Sequence, residues 1–182
     1  MMDIQVQNIV ASVVTGEIFD LNMISSNLVG SKYSTEKFPG LIYKLKDPKT
    51  AILVFTTGKL VVTGAKTVEK VYEAVDKFLG KLEDIGVKVK GDPKIVIQNF
   101  VATSNLHQEV NLSHVAITLG LECVEYEPEQ FPGLVYRVRE PKAVALIFKT
   151  GKMVCTGTKS ITEIEVALGK IEHELINAGL IS

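Results

Sequence analysis

This chain of 182 residues has no tryptophan, only two cysteines, and six prolines. No apolar run reaches the roughly 18 residues of a membrane span, so no membrane association is expected. Cys123 and Cys155 are too few and too far apart for a disulfide framework, which points to an intracellular, reducing setting. The amino terminus, Met1-Met2-Asp3-Ile4-Gln5, lacks the charged and apolar segments of a secretory leader. Asn111-Leu112-Ser113 fits a glycosylation sequon, which carries no weight without a leader. His107, His114 and His173 are scattered, with no cysteine or acid at metal-ligand spacing, so no metal or other cofactor is expected. Gly58-Lys59 and Gly151-Lys152 lack the upstream glycine and the following Ser or Thr of a phosphate-binding loop. Enzymatic readings therefore find little support. The net charge of −1 argues against a protein that grips nucleic acid mainly by neutralising phosphates.

What is present is a soluble globular mixture, 46% apolar and 23% charged, arranged as two copies of one unit. Val6-Gln7-Asn8-Ile9-Val10-Ala11 returns 91 residues later as Ile97-Gln98-Asn99-Phe100-Val101-Ala102. The block from Phe38-Pro39-Gly40 to Pro48-Lys49 returns 93 residues later, from Phe131-Pro132-Gly133 to Pro141-Lys142, with only like-for-like changes. Thr57-Gly58-Lys59 through Thr63-Gly64 returns at the same offset. A period this long fits a duplicated domain-sized unit, with repeats 1–91 and 92–182 meeting at Gly91-Asp92-Pro93. Two such units tend to pack about a pseudo-two-fold axis. The natural partner of that surface is another copy or a ligand of two-fold symmetry, such as duplex DNA.

Each repeat reads as β-α-β-β-β-β-α. A strand through residues 4–13 is followed by a short helix with Leu21, Ile24 and Leu28 at helical spacing after Asp20; Asn111, Leu112, Val115 and Leu119 answer them. Short β-rich runs broken by turn signals come next. A long amphipathic helix closes the repeat, with Val68, Val71, Val75, Phe78, Leu82 and Ile85 on one face. Its counterpart opens on a capping box, Ser160 to Glu163, and continues through Ile164, Leu168, Ile171 and Leu175.

The sheet is the unusual part. Ala51–Phe55 and Ala145–Phe148 are apolar throughout, as strands covered on both faces are, yet the helices suffice for one face only. Period-two alternation sorts the side chains. If Ile52, Val54, Leu60 and Val62 face the helices, then Leu53, Phe55, Lys59, Val61 and Thr63 face away. Leu146, Phe148, Lys152, Val154 and Thr156 do the same in the second repeat. In the first strand of each repeat the open positions are Asn8 and Val10, then Asn99 and Val101. Cys155 falls on the helix side. Two phenylalanines per repeat, at about 150 Å² each, would expose roughly 600 Å². Such a face suits a ligand, an interdomain core, a homodimer of the free protein, or a carrier or scaffold that holds a lipid or a helix.

Charge is unevenly shared. Residues 1–91 carry 12 lysines and 10 acids, whereas residues 92–182 carry 8 basic residues and 11 acids. Glu122, Glu125, Glu127 and Glu129 concentrate the excess. They read either as a solvated loop or as a docking point for a basic partner on one half only.

The blocks QNIVA at 7–11, QNFVA at 98–102, EQFPGLVYR at 129–137, PKAVALIF at 141–148 and TGKMVCTGTK at 150–159 resemble the TATA-box-binding protein family. The likeness runs from about residue 4 to residue 178 in both repeats, and the short amino terminus looks like the archaeal form. The resemblance implies an α+β saddle: a ten-stranded antiparallel sheet with four helices on its convex face and a concave underside that binds and kinks the minor groove of AT-rich promoter DNA. Minor-groove binding of this kind is an established pattern for the family. By the same resemblance Phe38, Phe55, Phe131 and Phe148 are wedges, with Pro39 and Pro132 beside them. Asn8, Asn99, Thr63 and Thr156 hydrogen-bond groove acceptors, and Val10, Val101, Leu53, Leu146, Val61 and Val154 form the apolar floor. Lys44, Lys59, Arg137 and Lys152, helped by Thr57 and Thr150, meet phosphates. Glu127, Glu129 and Gln130 match the loop that docks transcription factor B, which brings in RNA polymerase indirectly. The implied setting is the nucleoid of an archaeal cell, in the cytoplasm. Eukaryotic members have Ala-Ala after the first wedge, whereas here Pro39-Gly40 copies Pro132-Gly133. Two such similar halves leave orientation on DNA to the partner.

Overall fold

A computed structural model describes residues 2–182. The first repeat comprises β1 (Gln5–Val14), α1 (Leu21–Asn27), β2 (Lys32–Tyr33), β3 (Leu41–Lys46), β4 (Lys49–Val54), β5 (Lys59–Ala65) and α2 (Val68–Asp84). The second comprises β6 (Lys94–Asn105), α3 (Leu112–Leu119), β7 (Val124–Glu125), β8 (Leu134–Val138), β9 (Ala143–Ile147), β10 (Lys152–Thr158) and α4 (Ile161–Asn177). The order is β-α-β-β-β-β-α twice. The ten strands follow the hydrogen-bonded order β2-β3-β4-β5-β1-β6-β10-β9-β8-β7.

The helices start where side chains satisfy their free N–H groups. Asp20 accepts from Met23 N, Thr67 from Lys70 N, Asn111 from His114 N and Ser160 from Glu163 N. The capping box at Ser160 closes one residue earlier than its sequence form implies, because Glu163 reaches back to the N–H of Lys159.

Compact units do not coincide with the sequence repeats. Asn8–Gln98 forms one, and the segment ending at Gln7 joins Asn99–Ser182 to form the other. Each unit therefore holds a few residues of the other repeat's first strand at its sheet edge. Gln7 Nε2 donates to Thr103 Oγ1 in one unit, and Gln98 Nε2 donates to Ser12 Oγ in the other.

In the Asn8–Gln98 unit, α2 packs on β5 and encloses Ile9, Ile52, Val54, Leu60, Val62, Val71, Val75, Phe78 and Leu82, all fully buried. In the other unit, α4 packs on β9 and β10 around Leu134, Ile147, Met153, Cys155, Ile164, Leu168 and Ile171. Each such side chain contributes about 1.5–3 kcal/mol on burial. Val68, expected on the buried stripe of α2, is 39% exposed. It opens the helix, directly after the N-cap Thr67. No helix among the described residues is long and apolar enough to cross a membrane.

Candidate nucleic-acid interface

The alternation read from sequence holds on β1, β3, β4 and β9, on β6 from Gln98 on, and on β5 and β10 up to Thr63 and Thr156. Leu53, Val61 and Thr63 are half-buried beside the buried Ile52, Val62 and Leu60, and Leu146, Val154 and Thr156 stand likewise beside Ile147 and Cys155. Asn8, Val10, Asn99 and Val101 occupy the same open face of their strands. Lys44, Lys59, Arg137 and Lys152 are exposed, as are Thr57, Thr150, Pro39 and Pro132. Burial pushes the Cys155 thiol up to about 11, the behaviour of a packed side chain rather than a nucleophile. Cys123 is half-buried in the turn before β7. Among the described residues, no group of His, Cys, Asp and Glu could hold a metal ion.

Two constructions dominate the open faces, and each occurs once per repeat. The first centres on an asparagine. The β1–β5 register shifts between Ile9 and Ala11, and Gly64 sits there at φ +101°. A bulge at such a glycine aims its N–H out of the regular pattern. That N–H donates to Asn8 Oδ1 at 2.6 Å, and Asn8 Nδ2 donates to Thr63 Oγ1 at 3.0 Å. A backbone N–H can only meet an acceptor, so it fixes which end of the amide is oxygen. One hydrogen of the Asn8 amide goes to Thr63, and the amide carries a second. Asn99 repeats the arrangement with Gly157 N at 2.8 Å and Thr156 Oγ1 at 2.9 Å.

The second construction is a phenylalanine pair. Phe38 and Phe55 meet edge to face with centroids 5.8 Å apart at 63°, and Phe131 and Phe148 meet at the same distance and angle. The glycine of each Phe-Pro-Gly run makes room. A Cβ on Gly40 would lie 2.8 Å from Phe38 Cε2, and one on Gly133 would lie 2.6 Å from Phe131 Cε2. Packing against each other, the rings expose less than four free phenylalanines would. Phe131 is 38% exposed and the other three are half-buried, which corrects the expected 600 Å² downward.

Asn8, Asn99 and the threonines are thus brought onto the floor as expected. Sequence reasoning missed the bulge glycines Gly64 and Gly157, and the Gln7 and Gln98 pairs. The repeat of Thr-Gly in both copies was the available signal for the former. Arg137, expected to be free for phosphate, has the Glu125 carboxylate 3.7 Å away. Glu127, Glu129 and Gln130 are all exposed. The Glu127 carbonyl accepts from the N–H groups of Gln130 and Phe131, as the Ser34 carbonyl does from Lys37 and Phe38. That shared turn identifies Ser34 as the counterpart of Glu127.

A family model for transcription factor TFIID (or TATA-binding protein, TBP) matches residues 3–85 and again 94–178, one match per repeat. The chain belongs to the TATA-binding protein family. It is 52% identical to the TATA-box-binding protein of Thermoplasma volcanium over 98% of this chain and 97% of that one. It is 50% identical to TATA-box-binding protein 1 of Methanosarcina acetivorans, with the same coverage. The solved structure of Methanococcus jannaschii TBP superposes with a TM-score of 0.83 at 46% identity, over 93% of this chain and 95% of that one. The TBP family is one of transcription factors.

Proposed function

We propose that this TBP-family chain is a general transcription factor that binds TATA-box DNA by laying the open faces of repeats 1–91 and 92–182 against the minor groove. The observation that carries the reading is the fixed asparagine amide, present twice in an apolar floor. A·T pairs offer only acceptors in the minor groove, whereas G·C adds an amino donor. Asn8 and Asn99 present an N–H donor each, and Val10, Leu53, Val61 and their counterparts present methyl groups. A guanine amino group there would lose its water and find no acceptor. Such a floor selects AT-rich sequence without reading each base.

The phenylalanine pairs add a mechanical term. Apolar wedges enter between base steps, unstack them and kink the duplex, which favours deformable TA steps. Lys44, Lys59 and Lys152, and Arg137 as far as Glu125 leaves it free, hold phosphates on either side, with Thr57 and Thr150. A near-neutral chain serves because apolar burial supplies most of the affinity. Glu127, Glu129 and Gln130 form the docking point for transcription factor B, through which RNA polymerase is recruited. Two carboxylates beside a DNA wedge are unfavourable for DNA alone and suit a basic protein surface.

A gel shift with a TATA duplex against a GC-rich control of equal length tests the reading. Selective binding is expected, with a slope of log K against log salt of roughly −3 to −4. Equal affinity for both duplexes would overturn the minor-groove assignment, and a much steeper slope would overturn the apolar source of affinity.

A further inference from the structure

The open faces carry basic side chains at matched places, with Lys44, Lys49 and Lys59 answering to Arg137, Lys142 and Lys152, all exposed. One place breaks the match. Lys32 on β2 pairs across from Ile42, and at the equivalent place Glu125 on β7 pairs across from Val135. Both strands are two residues long and their partners are counterparts, so two side chains of opposite charge leave the sheet from the same position. The consequence falls on the neighbouring strand. Glu125 Oε1 lies 3.7 Å from Arg137 Nη2, whereas Lys44, the counterpart of Arg137, has Lys32 as its cross-strand diagonal neighbour.

We propose that Glu125 makes the phosphate grip of the two repeats unequal, by neutralising Arg137 and leaving the second repeat about one phosphate contact short of the first. The proposal rests on the DNA-binding reading above and names a charge difference between its two halves. The two side chains are 63% and 55% exposed, and an exposed pair contributes at most about 1 kcal/mol to stability, so the contact is not needed by the fold. Its effect is on the charge that the duplex meets. An arginine already paired with a carboxylate brings no net charge and releases no counterion from DNA. Lys32 adds a charge at the place where Glu125 removes one.

The test is fluorescence anisotropy of a labelled TATA duplex across a salt series. It compares the native chain with Lys44→Gln, Arg137→Gln, Glu125→Gln and the double change Glu125→Gln with Arg137→Gln. Lys44→Gln should flatten the slope of log K against log salt by about 0.9, and Arg137→Gln by roughly half of that or less. Glu125→Gln should steepen it by the remainder of one contact, roughly 0.5–0.9, and adding Arg137→Gln to that background should then flatten it by about 0.9. Equal flattening by Lys44→Gln and Arg137→Gln, or a Glu125→Gln slope equal to the native one, would overturn the proposal. A native chain that fails to bind the duplex at all would overturn the DNA reading and this inference with it, before any variant is compared.

Discussion

Tyr43 and Tyr136 hold equivalent places in the two repeats, and their surroundings have opposite sign. Lys81 on α2 stands 6.0 Å above the Tyr43 ring, a cation–π arrangement at the edge of its range. At the matching place on α4, Glu174 accepts the Tyr136 hydroxyl proton in a hydrogen bond. Burial first, and then that carboxylate, push the Tyr136 hydroxyl well above the usual phenol range. The open faces behave otherwise. The two phenylalanine pairs agree in distance and angle, and the two asparagine networks agree bond for bond. The two constructions on the open faces thus stay duplicated, while charges on the helices differ in sign. On the proposed reading, a ligand with near two-fold symmetry favours that pattern, because both open faces then meet the same groove chemistry.

The hardest way to break the comparison is to remove one wedge at a time. Phe55→Ala and Phe148→Ala should each reduce DNA bending sharply and weaken TATA binding on the order of tenfold, since unstacking a step is no longer compensated. The two effects should be similar, because the two pairs share one geometry. End-to-end distance of a doubly labelled duplex reports the bend, and thermal melting reports the fold. If either variant unfolds while its folded fraction still bends DNA normally, the wedge role is wrong.

The loop asymmetry gives a sharper, one-sided test. Glu127→Lys with Glu129→Lys should leave binary TATA binding unchanged or slightly tighter, and abolish the ternary complex with transcription factor B. Like charges facing across an interface cost several kcal/mol. Both can be read on one gel, with and without the factor. A ternary complex at the native factor concentration would return the acidic stretch to a solvated loop.

The smallest expected effect concerns the core. Ser104 is buried with no hydrogen-bond partner for its hydroxyl, and its counterpart in the first repeat is Val13, fully buried. A buried unpaired hydroxyl costs about 1–3 kcal/mol. Ser104→Val, copying the first repeat, should raise the melting temperature with no loss of DNA affinity. A lower melting temperature would mean that the hydroxyl has a role that this geometry does not reveal.

Much of the fold was legible because its signals are local. The repeat blocks located both copies, and Asp20, Asn111 and Ser160 sit where helix caps are chemically favoured. Alternation separated Ile52 and Val54 from Leu53 and Phe55, because a strand turns successive side chains to opposite faces whatever its neighbours are. Val68 was misplaced because periodicity says which side of a helix is apolar, and not how deeply its first turn is buried.

The sequence by itself determined the duplication, the element order, the alternation on most strands and the apolar character of the face that the helices leave open. Only the tertiary structure decided that the rings of Phe38 and Phe55 meet over Gly40, that a bulge N–H fixes the Asn8 amide, and that Glu125 rather than Lys32 stands beside a basic side chain of opposite sign. The physical reason is range. Alternation and capping follow from the backbone of a few consecutive residues, whereas these contacts depend on strand register and bulges that join residues dozens of positions apart.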